Sequence, residues 1–206
     1  MQSQHILLTN VLTILAFPMD QLSPEMRAKI DLLSTDLTTS TAILAYIQQV
    51  AEITGTTAAS SLEDFSDEIN IILHKLKFIA PQDRPTVLIY SLADKNTLSA
   101  GSFLADSIQI AGGIPVTEDA EKIAKIIFID PANKAFQLVP ELIQDNLFAG
   151  SEAVEKNQIY IIQDPEFAQI PGVNYLKELE ILAEIIQPKY FIFGHEGQQW
   201  LKFELV

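Results

Sequence analysis

From Thr86 onward, short apolar runs alternate with segments of helical period. "TVLIY" (86–90) precedes "AGSFLADSIQIA", "IIFID" (126–130) precedes "FQLVPELIQDN", and "QIYII" (158–162) precedes "VNYLKELEILAEII". Runs so short and so uniformly apolar suit strands buried on both faces, and a strand–helix–strand order implies parallel pairing with right-handed crossovers. This half is expected to be an α/β unit. Pro140 should break or kink the middle helix, since proline removes a backbone donor and clashes with the preceding turn. The tail "YFIFGHEGQQWLKFELV" reads as a terminal hairpin turning at "GHEGQQ".

The first half carries the same kinds of signal. "HILLT" (5–9) and "IDLLST" (30–35) read as strands, and "LSPEMRAKI" as a short helix with Pro24 in its first turn. "TTSTAILAYIQQVAEITG" is amphipathic: Ile43, Leu44, Ile47, Val50 and Ala51 share one stripe, and Gly55 stands where a helix ends. "SSLEDFSDEINIILHKLKFI" gives the longest helical pattern, with Leu62, Phe65, Ile69, Ile72, Leu73 and Leu76 at helical spacing. Ser60 and Glu63 form a capping box, acidic residues crowd the start, and His74, Lys75 and Lys77 close the end, as the helix dipole favours. The spacing predicts one unbroken helix over 60–79, a rod of about 28 Å. "APQDRP" then interrupts the pattern with two prolines and marks a boundary.

Composition narrows the function. The 206 residues hold 13 Lys and Arg against 27 Asp and Glu, a formal charge of −14. A surface that acidic repels nucleic-acid phosphates and anionic lipid, so neither is an expected partner. Cysteine is absent, which removes disulfides, thiolate metal sites and cysteine nucleophiles. "MQSQHILLTN" has no basic start and cleavage site of a signal peptide, and no apolar run approaches the roughly 20 residues that span a bilayer.

Motifs for catalysis are missing. Gly101 stands alone in the turn after "TVLIY", and Gly112 and Gly113 come after the helix, where they stop it; a phosphate cradle needs more glycines than that. His5, His74 and His195 are not at ligand spacing, and no GxSxG elbow occurs. Glu118 and Asp119 read either as general acids or as a solvated helix start, the second being favoured on so acidic a chain. No enzyme activity, metal centre or cofactor is expected. A binding site is easier to place, because ligands of open parallel sheets lie beyond the carboxyl ends of the strands. The loops 91–102, 130–136 and 163–172 meet that description. Thr97, Ser99, Asn133, Phe136, Asp164 and Phe167, polar donors and acceptors mixed with aromatics, are the expected ligand contacts.

The order of these elements resembles the substrate-binding proteins of ABC importers for iron-siderophores, haem and cobalamin, whose two lobes are joined by one long helix. The likeness rests on "RPTVLIY", "SAGSFLADSIQIAGGIPV", "AGSEAVEKNQIYII" and "GVNYLKELEILAEIIQPKYF". It extends to "HILLTN" and "KIDLLSTDLTTSTAILAYIQQVAEITG" in the first half. The resemblance implies two parallel-sheet α/β lobes, with a partial first lobe at 1–59, a linking helix at 60–80 and a second lobe at 81–206. It implies a metal-chelate ligand between the lobes and an ABC permease as partner. In the family one glutamate on each lobe meets permease arginines. Glu118 or Glu121 corresponds to the second-lobe one, and the first-lobe one would precede residue 1.

Relative to that pattern the start of the first lobe is lacking, which is consistent with a trimmed chain or a naturally short relative and with self-association through the incomplete lobe. Extracytoplasmic placement follows if an export signal has been trimmed. Haem wants axial ligands that the three loops do not offer, and catecholate siderophores favour arginines, of which only Arg27 and Arg84 exist. Neutral chelates or a corrinoid fit better. The rival expectation is an α/β protein-interaction module derived from the same fold.

Overall fold

The computed structural model describes residues 2–34, 36–56, 59–98, 103–116, 123–130, 132–164, 167–168 and 174–205. The chain is α/β, with a mostly parallel sheet sandwiched between helices. Strands β1 (Thr86–Ser91), β4 (Lys125–Ile129) and β5 (Ile159–Ile162) form its parallel centre. The outer edge of β1 is shared by the two-residue strands β2 (Asn96–Thr97), antiparallel to its end, and β3 (Ile114–Pro115), parallel to its start. On the other side β6 (Trp200–Phe203) runs antiparallel to β5.

Side chains alternate across these strands with the period of two that a pleated backbone imposes. Val87, Ile89, Ile127, Ile129, Tyr160 and Ile162 enter one core. Leu88, Tyr90, Ile126, Phe128, Ile159 and Ile161 enter the other. Helices α5 (Phe103–Ile110) and α8 (Tyr175–Ile186) contribute to the first core, and α6 (Ala135–Leu142) and α7 (Glu152–Glu155) to the second. Pro140 is accommodated within α6. Gly112, at φ +85°, turns the chain after α5, and a Cβ on Gly113 would come within 2.9 Å of Ile108 and 3.0 Å of Val87. The double glycine therefore stops the helix and lets the turn approach the sheet.

The first half differs from the expectation. Among the described residues no strand precedes Thr86. "HILLT" lies inside α1 (Gln2–Ile14), where Leu7, Leu8, Val11 and Leu12 line one buried helical stripe that continues to Leu15 just beyond. "IDLLST" is no strand either. Ile30 ends α2 (Pro24–Ile30) and the chain then turns, leaving Leu32 86% exposed. Helix α3 (Ser40–Thr54) follows as read, with Gly55 as its left-handed cap. Helix α4 (Ala59–Leu76) is unbroken but ends three residues before Ile79; the Ser60 side chain of the expected capping box lies outside the described residues. The tail is not a hairpin: its only strand, among the described residues, is β6, which extends the sheet at β5.

The N-terminal helices share the first core with α5 and α8. Specific contacts tie them together. The Asp106 carboxylate of α5 accepts the Ser40 N–H at 2.7 Å, capping α3 from across the fold. Phe65 of α4 stacks on Tyr175 of α8 at 5.3 Å. Beyond α8, Gln187 donates its side-chain amide to the Gly112 carbonyl at 3.0 Å.

Candidate functional site

Strands β1, β4 and β5 end at Ser91, Ile129 and Ile162, so the three loops that follow them emerge on one edge of the sheet. In the first, Ser91 donates its hydroxyl to the Asp94 carboxylate at 2.8 Å and accepts the Asp94 N–H at 3.1 Å. In the second, Asp130 is 2% exposed and accepts the backbone N–H groups of Lys134 and Ala135 at 2.9 and 2.7 Å, fixing the start of α6. The second and third loops meet where the Gln163 side-chain amide donates to Asn133 Oδ1 at 2.7 Å. In the third, Asp164 pairs with Lys177 of α8 at 2.5 Å.

Among its described residues each loop also holds one non-glycine residue in left-handed backbone: Lys95 (φ 55°), Asn133 (φ 55°) and Ala168 (φ 61°). A side chain in that region is held there against a steric cost of about 1–3 kcal/mol, and such residues gather at ligand clamps and active sites. Three of the five such residues described in the chain stand on this edge.

Behind the third loop lies a buried polar pair. Glu178 is 3% exposed; its Oε1 accepts the Ala168 N–H at 3.0 Å, while Oε2 has no hydrogen-bond partner. Burial pushes its carboxyl up to about 7, with Asp164 adding to the shift and the Ala168 N–H and Lys177 opposing it. The Tyr175 hydroxyl, also buried, lies beside the Ser40 and Ser107 side chains without a hydrogen bond of normal geometry to either, and burial pushes it up to about 12.

Of the residues expected from the sequence, Thr97 is half-buried on β2, paired with Tyr90. Asn133 is exposed at its loop tip, and Asp164 is held by Lys177. Phe136 is 61% exposed on α6, its ring 5.7 Å from that of Phe203. Phe167, at 1% exposure, belongs to the first core. Ser99, Glu118 and Glu121 lie outside the described residues. Sequence reasoning missed Gln163, Lys177 and Glu178. The last two sit in "YLKELE", where a charged pair in a helix reads as a solvated face, and only the packing of α8 shows that Glu178 is buried. A cleft of about 250 Å³ beside the first loop, lined by Tyr90, Leu92, Lys95, Leu138 and Glu141 among others, is small for a drug-sized ligand. Among the described residues no three His, Asp or Glu gather as metal ligands, and no helix is long and apolar enough to cross a membrane.

No family model and no curated protein matches the chain. Solved structures do. An ABC transporter substrate-binding protein from Listeria monocytogenes EGD-e superposes with a TM-score of 0.68 at 13% identity, over 88% of this chain and 96% of that one. The chain has the fold of ABC transporter substrate-binding proteins. Helicobacter pylori CeuE with Ni(II) bound matches at a TM-score of 0.59 and 15% identity, over 82% of this chain and 60% of its own. The periplasmic haem-binding protein HutB of Vibrio cholerae matches at 0.55 and 16%, over 72% and 64%. The chain therefore spans nearly all of the Listeria protein but under two thirds of the other two. Identities this low establish the substrate-binding-protein fold and leave ligand and partner to the site itself.

Proposed function

We propose that the chain is a non-enzymatic binding protein of a metal-chelate ABC importer, taking a neutral ferric chelate or a corrinoid at the carboxyl edge of its sheet. The observation that carries this reading is the left-handed residue in each of the three loops there, on a fold whose solved neighbours are substrate-binding proteins. Thr97, Ser99, Asn133, Phe136 and Asp164 would touch the ligand, and buried Phe167 would support the third loop from beneath. Glu118 or Glu121 would meet the permease, residues 60–80 would join the two units, and the protein would work outside the cytoplasm.

A protein-interaction role is the second reading. It is favoured by the N-terminal helices, which pack into one core with α5 and α8 and, among the described residues, form no second sheet. Thermal melting with a ferric trihydroxamate, cobalamin and haem separates the two. A ligand at one hundred times its Kd stabilises the folded state by about 2.7 kcal/mol, which raises Tm by about 5–10 °C in a chain of this size. A rise with one chelate that is abolished in Asn133→Ala and Asp164→Ala supports import. No rise with any of the three favours the interaction role.

A further inference from the structure

The opposite, amino edge of the sheet carries a larger cleft, of about 510 Å³, that the proposed function does not use. Its floor is Lys125, the first residue of β4, and Gln158, just before β5; Pro85, Ile186 and Pro188 supply apolar wall, with Phe78 and Tyr190 at the rim. Phe78 is 82% exposed and Tyr190 49%, although both are large and apolar or aromatic. The volume falls within the range of small-molecule sites, about 300–1,000 Å³.

Lys125 is the unusual group. It is 8% exposed, and its ammonium donates to two neutral acceptors, Gln158 Oε1 at 3.2 Å and the Tyr160 hydroxyl at 3.1 Å. Among the described residues it has no carboxylate partner, in a chain with 27 Asp and Glu. A buried charge of this kind is costly unless it is paired. Burial, helped by Lys202 on β6, two strands away, brings it down to about 8. The surroundings reverse the acidic balance of the chain. Lys125 and Lys189 line the cleft, Lys77 Nζ lies 4.8 Å from the ring of Phe78 at its rim, Arg84 sits between the lining residues Asp83 and Pro85, and Lys202 acts on Lys125. Against them stand Asp83 in the lining, Glu196 near Tyr160, and Glu204 paired with Lys202. The Nε of Arg84 is buried without a hydrogen-bond partner.

We infer that this cleft binds a small organic carboxylate with an aromatic body, its carboxylate on the Lys125 ammonium and its ring against Phe78, Ile79 and Tyr190. Inorganic phosphate fits less well, because a compact and strongly hydrated anion gains nothing from those apolar walls. The probe is 2-naphthoate, titrated into the full chain by calorimetry beside its neutral analogue naphthalene-2-methanol and inorganic phosphate. The expected result is saturable 2-naphthoate binding with Kd below about 1 mM, at least ten-fold tighter than the alcohol. Lys125→Met should abolish that preference while leaving the alcohol unchanged. Wild-type affinity should also fall as pH rises past about 8, where Lys125 loses its proton. If Lys125→Met does not fold, Phe78→Ala at its surface position decides, with a several-fold loss expected. Equal binding of acid and alcohol, no saturable binding, or affinity unaffected by these substitutions overturns the inference.

Discussion

Glu184 illustrates how single side chains hold the end of this chain in place. Its carboxylate, on α8, accepts the backbone N–H groups of Phe193, Gly194 and His195 and the indole N–H of Trp200. Burial alone would raise its pKa, but Trp200 and the three backbone donors outweigh that and hold it below the ordinary value of 4.5. One turn earlier, Glu180 meets His195 Nε2 at 2.7 Å. Glu184→Ala leaves four donors without their acceptor and should cost about 2 kcal/mol, a Tm lower by about 4–8 °C in thermal melts. Because the folded pKa is depressed, this stabilisation is present above about pH 4.5 and fades as pH falls through the lowered value. Glu178 has the opposite sign. Its folded pKa, raised to about 7, makes its contribution full below pH 4.5 and lost as pH rises through 7. Glu178→Gln keeps an acceptor for the Ala168 N–H without the charge. It should be more stable than the wild type by about 3 kcal/mol near pH 8 and nearly equal to it near pH 4. Melts at the two pH values check both the size and the crossover.

The elements divide by how much their local pattern determines. The three central strands were legible because short apolar runs recur there in alternation with helical patterns, as a parallel sheet buried on both faces requires; apart from half-buried Thr86, all their side chains are buried. Helices α3, α5 and α8 were legible from their stripes and from Gly55 and Gly112. The first half misled for a physical reason. A five-residue apolar run fits a buried strand or one side of a buried helix equally well, and "HILLT" is the latter, continuing through Val11, Leu12 and Leu15. At "IDLLST" the run of apolar residues is not a buried one: Ile30 closes α2 and Leu32 faces solvent. In the candidate site, loop position followed from strand order, but the burial of Phe167 and Glu178 and the pairing of Asn133 with Gln163 depend on packing between distant segments. Helix α4 allows a direct test of element-level reasoning. Ile72 is 1% exposed at its centre, so Ile72→Pro removes a backbone hydrogen bond and clashes with the preceding turn, at a cost of about 3 kcal/mol or more. Denaturant titration should show the midpoint fall sharply. An unchanged midpoint would mean that α4 adds little to the shared core.

Taken whole, the molecule has two chemically distinct edges on one sheet: a polar, backbone-strained carboxyl edge and an amino edge where lysines gather around apolar walls. The N-terminal helices and the α/β half share one core, through Phe65 on Tyr175, the Asp106 cap of α3, and Leu76, which lies 3.0 Å from where a Gly112 Cβ would stand. That shared core should make unfolding a single cooperative transition, with fluorescence and circular dichroism giving coincident curves; two separated transitions would mean that the halves fold independently. The central claim is that a chelate sits at the carboxyl edge. The most direct measurement is paramagnetic broadening of backbone amide resonances by a bound ferric trihydroxamate, with the diamagnetic gallium complex as reference. The account predicts broadening concentrated at residues 92–98, 132–136, 163–164 and 167–168, with the amino-edge residues Lys125, Gln158 and Lys189 unaffected. Broadening centred on the amino edge, or spread evenly over the surface, would contradict it.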